Sequence, residues 1–232
     1  MTKRNERFVD QATQKPAVNA ETTALTKARY DRNAPLYDFF EGFMERLSFS
    51  RWRPLVWQAV GNGKILEVGV GTGKNMPYYP DATQITAIDL SEKMLARARR
   101  RVEKLGSKVE LIPMDAQALS FPDASFDHVV TTFVFCSVPD PVLGFREIKR
   151  VLRPDGRAVF LEHMRPESQF LGRLFDWLNP FIVRLSGANI NRRTLENIKE
   201  AGLVIERAER LTAQGIVQLI IARAGERGSN QV

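Results

Sequence analysis

Lys64-Ile-Leu-Glu67-Val-Gly69-Val-Gly71-Thr-Gly73-Lys-Asn75 is the stretch whose reading decides the fold. Ile65 to Val68 is a short apolar run of the kind that forms a buried strand. It leads into glycines at alternate positions, where a backbone can bend tightly and approach a ligand closely. A second apolar run, Ile85-Thr-Ala-Ile88, ends in Asp89, at a distance that suits one crossover helix plus one strand. An acidic residue about 20 positions beyond such a loop can hold a ribose diol. The stretch therefore points to a nucleoside-containing cofactor at the carboxyl end of a parallel sheet.

The spacing is G-x-G-x-G. The dinucleotide fingerprint places its third glycine one position later, where this chain has Lys74. S-adenosylmethionine has no phosphate to neutralise. It carries a sulfonium and a zwitterionic amino acid tail, so a carboxylate such as Glu67 near the loop makes electrostatic sense. The other reading of Glu67 is a strand residue that bonds only backbone. Val109 to Pro113 reads as a third strand leading to Asp115, which could accept from the adenine exocyclic amine while the Ala116 backbone meets the ring edge. Taken alone, Asp115 reads as a helix N-cap; beside the first two signals it reads as a ligand residue.

Strands are expected near 64–68, 84–89, 108–113, 126–134 and 157–163, and helices near 72–79, 91–105, 140–152 and 192–201. Such alternation predicts a parallel sheet with helices on both faces. Two last runs, 203–211 and 216–224, are joined by Thr212-Ala-Gln-Gly215, too short a link for anything but an antiparallel hairpin. The expected organisation is a flexible tail over 1–25, a helical aromatic-rich cap over 26–60, one α/β domain over 61–224 and a flexible end over 225–232. An apolar insert, 164–191, interrupts that domain and is expected to cover the crevice at the strand ends or to pack as core on the cap.

The 232 residues carry a net charge of +7 and a single cysteine, which excludes an internal disulfide and fits a reducing, cytoplasmic setting. The N-terminus lacks the apolar stretch of a secretory signal, and no run approaches the ~18 apolar residues of a spanning helix. Lys93, Arg97, Arg100 and Lys104 fall on one stripe of the helix after Asp89. That stripe reads as a solvated face or as attraction to an anionic membrane surface. No aromatics interleave with it, so nucleic acid is an unlikely partner.

Glu67–Gly73, Asp89-Leu-Ser91, Met114-Asp-Ala116, Phe121–Asp127 and Arg150–Gly156 together resemble class I S-adenosylmethionine-dependent methyltransferases, over about residues 30–224. The likeness is above all to the group containing the ubiquinone and menaquinone C-methyltransferases. The implied architecture is Rossmann-like: a mostly parallel seven-stranded sheet with a C-terminal antiparallel hairpin. The resemblance implies Glu67 and Gly69 at the methionyl end, Asp89 at the ribose, and Asp115 and Ala116 at the adenine. Gly71, Gly73, Asn75, Leu90, Met94 and Thr132 complete the candidate cofactor set, and no metal site is expected. Asp155 stands where the family usually has a second glycine, a change that a turn tolerates.

Phe135-Cys-Ser-Val138, Leu161-Glu-His163 and Gly187–Arg192 look like a branch that includes membrane-associated alkyl-thiol methyltransferases. Small bacterial phospholipid N-methyltransferases are also similar over the cofactor half. The implied acceptor is a small or lipid-like apolar molecule: a thiol, a phospholipid amine or a quinol. Methyl transfer needs a base only when the acceptor arrives protonated. Candidates at the acceptor are His163, Tyr37 and Asn189, and His163 is either a base that orients or deprotonates the acceptor or a structural residue. His128 reads as structural and Cys136 as a small buried apolar residue. The readings left open are a nicotinamide-dependent oxidoreductase, a noncatalytic S-adenosylmethionine-binding module and a nucleic-acid methyltransferase. The oligomeric state cannot be read from the sequence.

Overall fold

The computed structural model describes residues 17–44, 50–81 and 83–225, with side chains described outside 33–44. Helices α1 (Ala20–Met44) and α2 (Ser50–Gln58) precede the alternating region. Its elements are β1 (Lys64–Val68), β2 (Gln84–Asp89), α3 (Glu92–Leu105), β3 (Val109–Pro113), β4 (Phe126–Thr132), α4 (Pro141–Val151) and β5 (Leu152–His163). Helices α5 (Gln169–Ser186) and α6 (Thr194–Glu200) lead to β6 (Val204–Arg210) and β7 (Val217–Arg223).

One seven-stranded sheet has the order β3-β2-β1-β4-β5-β7-β6. β1 to β5 run parallel, and β7 lies antiparallel between β5 and β6, with Ala158 opposite Ala222. The mostly parallel sheet with a C-terminal antiparallel hairpin is the arrangement the sequence implied.

Successive strand residues point to opposite faces, so each strand feeds two cores. On one face Leu66, Val129 and Phe160 pack with Phe145 and Ile148 of α4 and Ile198 of α6. On the other, Ile65, Val130 and Val159 pack with Trp52, Val56 and Trp57 of α2. Phe135 and Phe145 stack with ring centroids 3.7 Å apart, and Phe160 meets Phe145 edge-on. Each such buried ring contributes roughly 1.5–3 kcal/mol of transfer free energy.

Two expectations are corrected. The helix foreseen over 72–79 is a turn followed by a 3₁₀ segment, Met76–Tyr78. Two prolines explain it: Pro77 follows Met76, and Tyr79, which precedes Pro80, is driven to an extended ψ of 135°. α1 begins at Ala20, within the stretch expected to be tail, because the Asn19 side chain accepts from the Glu21 and Thr22 N–H groups, both at 3.1 Å. The remainder of that tail, 1–16, and residues 226–232 lie outside the described residues.

The insert, expected to cover the crevice or to pack on the cap, forms α5, whose outer face leaves Phe170 at 79%, Trp177 at 67% and Leu185 at 78% exposure, with Phe181 and Leu174 also exposed. Phe175 is partly covered, stacking on His163 at 6.3 Å between ring centroids.

Candidate active site

The strand order reverses between β1 and β4, and in open α/β sheets the crevice at that point takes ligands. A cavity opens there at the carboxyl ends of the strands. The Gly69 N–H donates to the Ile88 carbonyl at 2.8 Å, locking the loop to β2. Gly71 has φ +56°, and a Cβ added there would meet no heavy atom within 4 Å, because it would stand in the cavity. The Gly71 N–H donates to Asp89 Oδ2 and the Ser91 N–H to Asp89 Oδ1, each at 2.9 Å. Each carboxylate oxygen can accept a further bond, so Asp89 can also take hydroxyls. Burial pushes the Asp89 carboxyl up, and the N–H groups of Ser91 and Gly71 hold it back.

Gly69, Gly71, Asp89, Leu90 and Met94 lie on the cavity wall, as do Asp115, Ala116 and Thr132. Asp115 Oδ1 accepts from the Gln117 N–H at 2.9 Å, and Oδ2 accepts from the Thr23 hydroxyl of α1 at 3.2 Å. Asp31, on the same helix, accepts from the Ser91 hydroxyl at 2.5 Å and from Lys27 at 2.9 Å. α1 is thereby laid along the cavity, with Thr26 and Tyr30 on its wall.

Glu67, Gly73 and Asn75 stand behind the wall. Glu67 is fully buried and accepts from Asn75 Nδ2 at 2.7 Å and from the Tyr79 hydroxyl. Burial raises its carboxyl, and Tyr79, Asn75 and the charge of Arg53 work against that. Asn75 Nδ2 also lies 3.0 Å from Thr132 Oγ1. Gly73 is packed beneath the Met76 thioether.

Neither His163 nor Asn189 is on the cavity wall. His163 ends β5 outside the cavity wall, and burial lowers its pKa, which keeps the imidazole neutral at pH 7. The Asn189 side chain is used by the fold: Nδ2 donates to the Cys136 carbonyl at 3.0 Å and Oδ1 accepts from Asn179 at 3.2 Å. The side chain of Tyr37 lies outside the described residues. Burial pushes the Cys136 thiol up to about 12, so it is no thiolate nucleophile.

Sequence reasoning missed Thr26 and Tyr30 on the wall, whereas the segment from Ser137 to Pro139, expected at the end of the fourth strand, does line it. A signal for the first two exists: Thr23, Thr26 and Tyr30 recur at i, i+3 and i+7, one face of a helix. Glu162, named only as part of the string that ends the fifth strand, has a role of its own. Fully buried, it accepts from the Thr131 hydroxyl at 2.8 Å and the Val134 and Phe135 N–H groups at 3.2 Å, and so shapes the end of β4. Burial pushes its carboxyl up to about 7.

A family profile described as a methyltransferase domain matches residues 66–160. A phosphatidylethanolamine N-methyltransferase of Cereibacter sphaeroides is 42% identical over 130 residues, covering 55% of this chain and 63% of its own. A demethylmenaquinone methyltransferase of Thermus thermophilus is 31% identical over 166 residues, covering 67% of this chain and 76% of its own. The chain spans 59% to 63% of the length of the first curated relatives it matches. The solved structure of a putative methyltransferase from Bacillus halodurans superposes with a TM-score of 0.63 at 19% identity, over 75% of this chain and 99% of the other, and shows the shared fold. Because the shared sequence runs through the glycine loop and on across most of the parallel strands, in the Thermus relative over 76% of its length, the chain belongs to the methyltransferase-domain family.

Proposed function

We propose that this protein is an S-adenosylmethionine-dependent methyltransferase that works at a membrane surface on a lipid-like acceptor. The observation that carries the acceptor half is α5. Phe170, Leu174, Trp177, Phe181 and Leu185 recur along one outward face, with exposed Arg173 and Arg184 beside them. A helix with this apolar face and basic flanks lies in the lipid interface. No helix among the described residues is long and apolar enough to cross a membrane. α5 is tied to the cavity rim: Asn179 Oδ1 accepts from the Ile190 N–H at 2.9 Å, and Asn189 next to it bonds Cys136.

The cofactor half rests on fit. Gly71 leaves space where any side chain would intrude, Asp89 can accept from a ribose diol and Asp115 from an adenine amine. Bound S-adenosylmethionine supplies a methyl group already activated on a sulfonium. The chain then has to align the acceptor, exclude water and hold the nucleoside still, which is mostly positioning. α1 covers the nucleoside, and Thr132 marks the methionyl end. The likeness to a phosphatidylethanolamine N-methyltransferase supports an amine acceptor; the quinol likeness supports a ring carbon. Both acceptors live in membranes.

The test is methyl-labelled S-adenosylmethionine with the purified protein and four acceptors: phosphatidylethanolamine vesicles, vesicles carrying a quinol precursor, an alkyl thiol and RNA. Label should enter one of the two vesicle samples. Label in the thiol alone would remove the lipid reading and favour one with His163 as base. In that case His163→Ala should lower the rate by ~10²–10⁴, with rescue at higher pH.

A further inference from the structure

Phe133, the residue that follows β4, has φ +57°. That is the left-handed region, which a bulky side chain seldom enters. The residues on either side of it are held by one buried carboxylate from the neighbouring strand. Glu162 Oε1 accepts from the Thr131 hydroxyl at 2.8 Å and from the Val134 N–H at 3.2 Å. Oε2 accepts from the Phe135 N–H, also at 3.2 Å. The Phe133 N–H donates to the carbonyl of Leu161, beside Glu162 on β5, at 2.8 Å. The turn is thus fixed before, at and after its left-handed residue.

This turn carries part of the cavity wall. Thr132, Phe133 and Val134 line the cavity, and so does Ser137, whose hydroxyl donates to the Val134 carbonyl at 2.8 Å. Val134 also stands against the glycine loop, since a Cβ added at Gly69 would come within 2.4 Å of Val134 Cγ2. A left-handed non-glycine residue persists only where its surroundings over-determine it, and such residues gather at ligand sites. Here the surroundings are donors aimed at both carboxylate oxygens, an arrangement that a neutral amide cannot satisfy. The Cys136 thiol and the Arg192 guanidinium face the same carboxylate.

We propose that Glu162 is a positioning residue for the cavity: its carboxylate holds Phe133 in the left-handed turn that sets Phe133 and Val134 on the wall, against the glycine loop. The proposal rests on the S-adenosylmethionine reading above, because its probe is the spent cofactor, S-adenosylhomocysteine. A purely structural Glu162 would steady the fold and leave the affinity of the folded cavity unchanged.

The experiment is calorimetry of S-adenosylhomocysteine with the wild type, Glu162→Gln, Phe133→Gly and the double variant, each below its melting temperature. Gln keeps one acceptor oxygen and turns an NH₂ toward the Phe135 N–H. Glu162→Gln should weaken binding by roughly 5- to 30-fold, the population cost of a non-glycine residue entering the left-handed region unaided. Glycine enters that region freely. In the Phe133→Gly background the same Glu162→Gln change should therefore cost no more than about 2-fold, as for uncoupled sites. Glu162→Asp, which keeps the charge and shortens its reach, carries the comparison if the Gln variant fails to fold. Wild-type affinity in Glu162→Gln overturns the proposal, as does an equal loss in both backgrounds. A wild type that does not bind S-adenosylhomocysteine overturns the cofactor reading, and the proposal with it.

Discussion

Gly71 and Asp89 share a single hydrogen bond, yet each constrains the site in its own way. A side chain at Gly71 would occupy ligand space and sit at a φ that β-branched residues avoid. Gly71→Val should therefore abolish S-adenosylmethionine binding, while Asp89→Ala should weaken it by about 1–3 kcal/mol, the cost of a polar partner left unmade. Near-wild-type calorimetry for both variants would remove these residues from the cofactor site. Glu162 gives a pH signature. Burial raises its folded-state carboxyl to about 7 from the ordinary 4.5, so between those values the native protein binds more protons than the unfolded chain. Stability should then fall as pH rises from 4.5 to 7, by on the order of 3 kcal/mol from this group, and stay reduced above it. Glu162→Gln should flatten that slope in denaturant melts at pH 5 and pH 8; an unchanged slope would show that Glu162 titrates elsewhere. Residues whose chemistry is local were legible: glycines at alternate positions and acids at strand ends announce themselves. What stands around Glu67 was not legible, because only the tertiary fold brings Asn75 and Tyr79 to it.

At the scale of elements, α3 and α5 divide the charge and the apolar surface. α3 is capped at both ends, by the Ser91 hydroxyl and by Gly106 at φ +64°, and its Lys93, Arg100 and Lys104 point outward. α5 carries the exposed rings. If α5 makes the membrane contact, Trp177→Glu with Phe181→Glu should abolish sedimentation with anionic vesicles and leave S-adenosylmethionine affinity unchanged. Binding should also weaken with salt, because exposed charges are screened over ~10 Å at 0.1 M. Undiminished sedimentation of the double variant would shift the contact to another surface. Strands and amphipathic helices were legible because apolar runs and the 3.6-residue stripe survive in the sequence. The turn after the glycine loop was not, since its period resembles a helix and only Pro77 and Pro80 break it. Nor was the start of α1, a polar segment whose cap at Asn19 acts through one side chain. For α5 the composition was legible and the direction was not, because an apolar stripe does not say what it faces.

For the whole molecule, the cavity joins parts that are far apart in sequence: α1, the β1 and β2 loops, the end of β3 and the segment after β4. A ligand there should stabilise the fold as one unit. At 100 times its dissociation constant, S-adenosylhomocysteine should add about 2.7 kcal/mol, which for a chain of this size is a rise of about 5–10 °C in Tm. No rise at saturation would mean that the cavity does not bind the nucleoside. Thr23 and Asp31 fasten α1 to this assembly through hydroxyl–carboxylate bonds, with Leu25 left exposed. If the proposed lipid acceptor is right, a strap of that kind would give the molecule two doors. Nucleoside would pass beneath α1, whereas an acceptor delivered along α5 would arrive from the lipid side. The two exchanges would then run on separate clocks. A lipid methylated once would be free to drift away while spent nucleoside still waited behind the strap. An amine that takes several methyl groups would be handled distributively, with half-finished lipids pooling in the bilayer whenever α1 lifts more slowly than lipids diffuse.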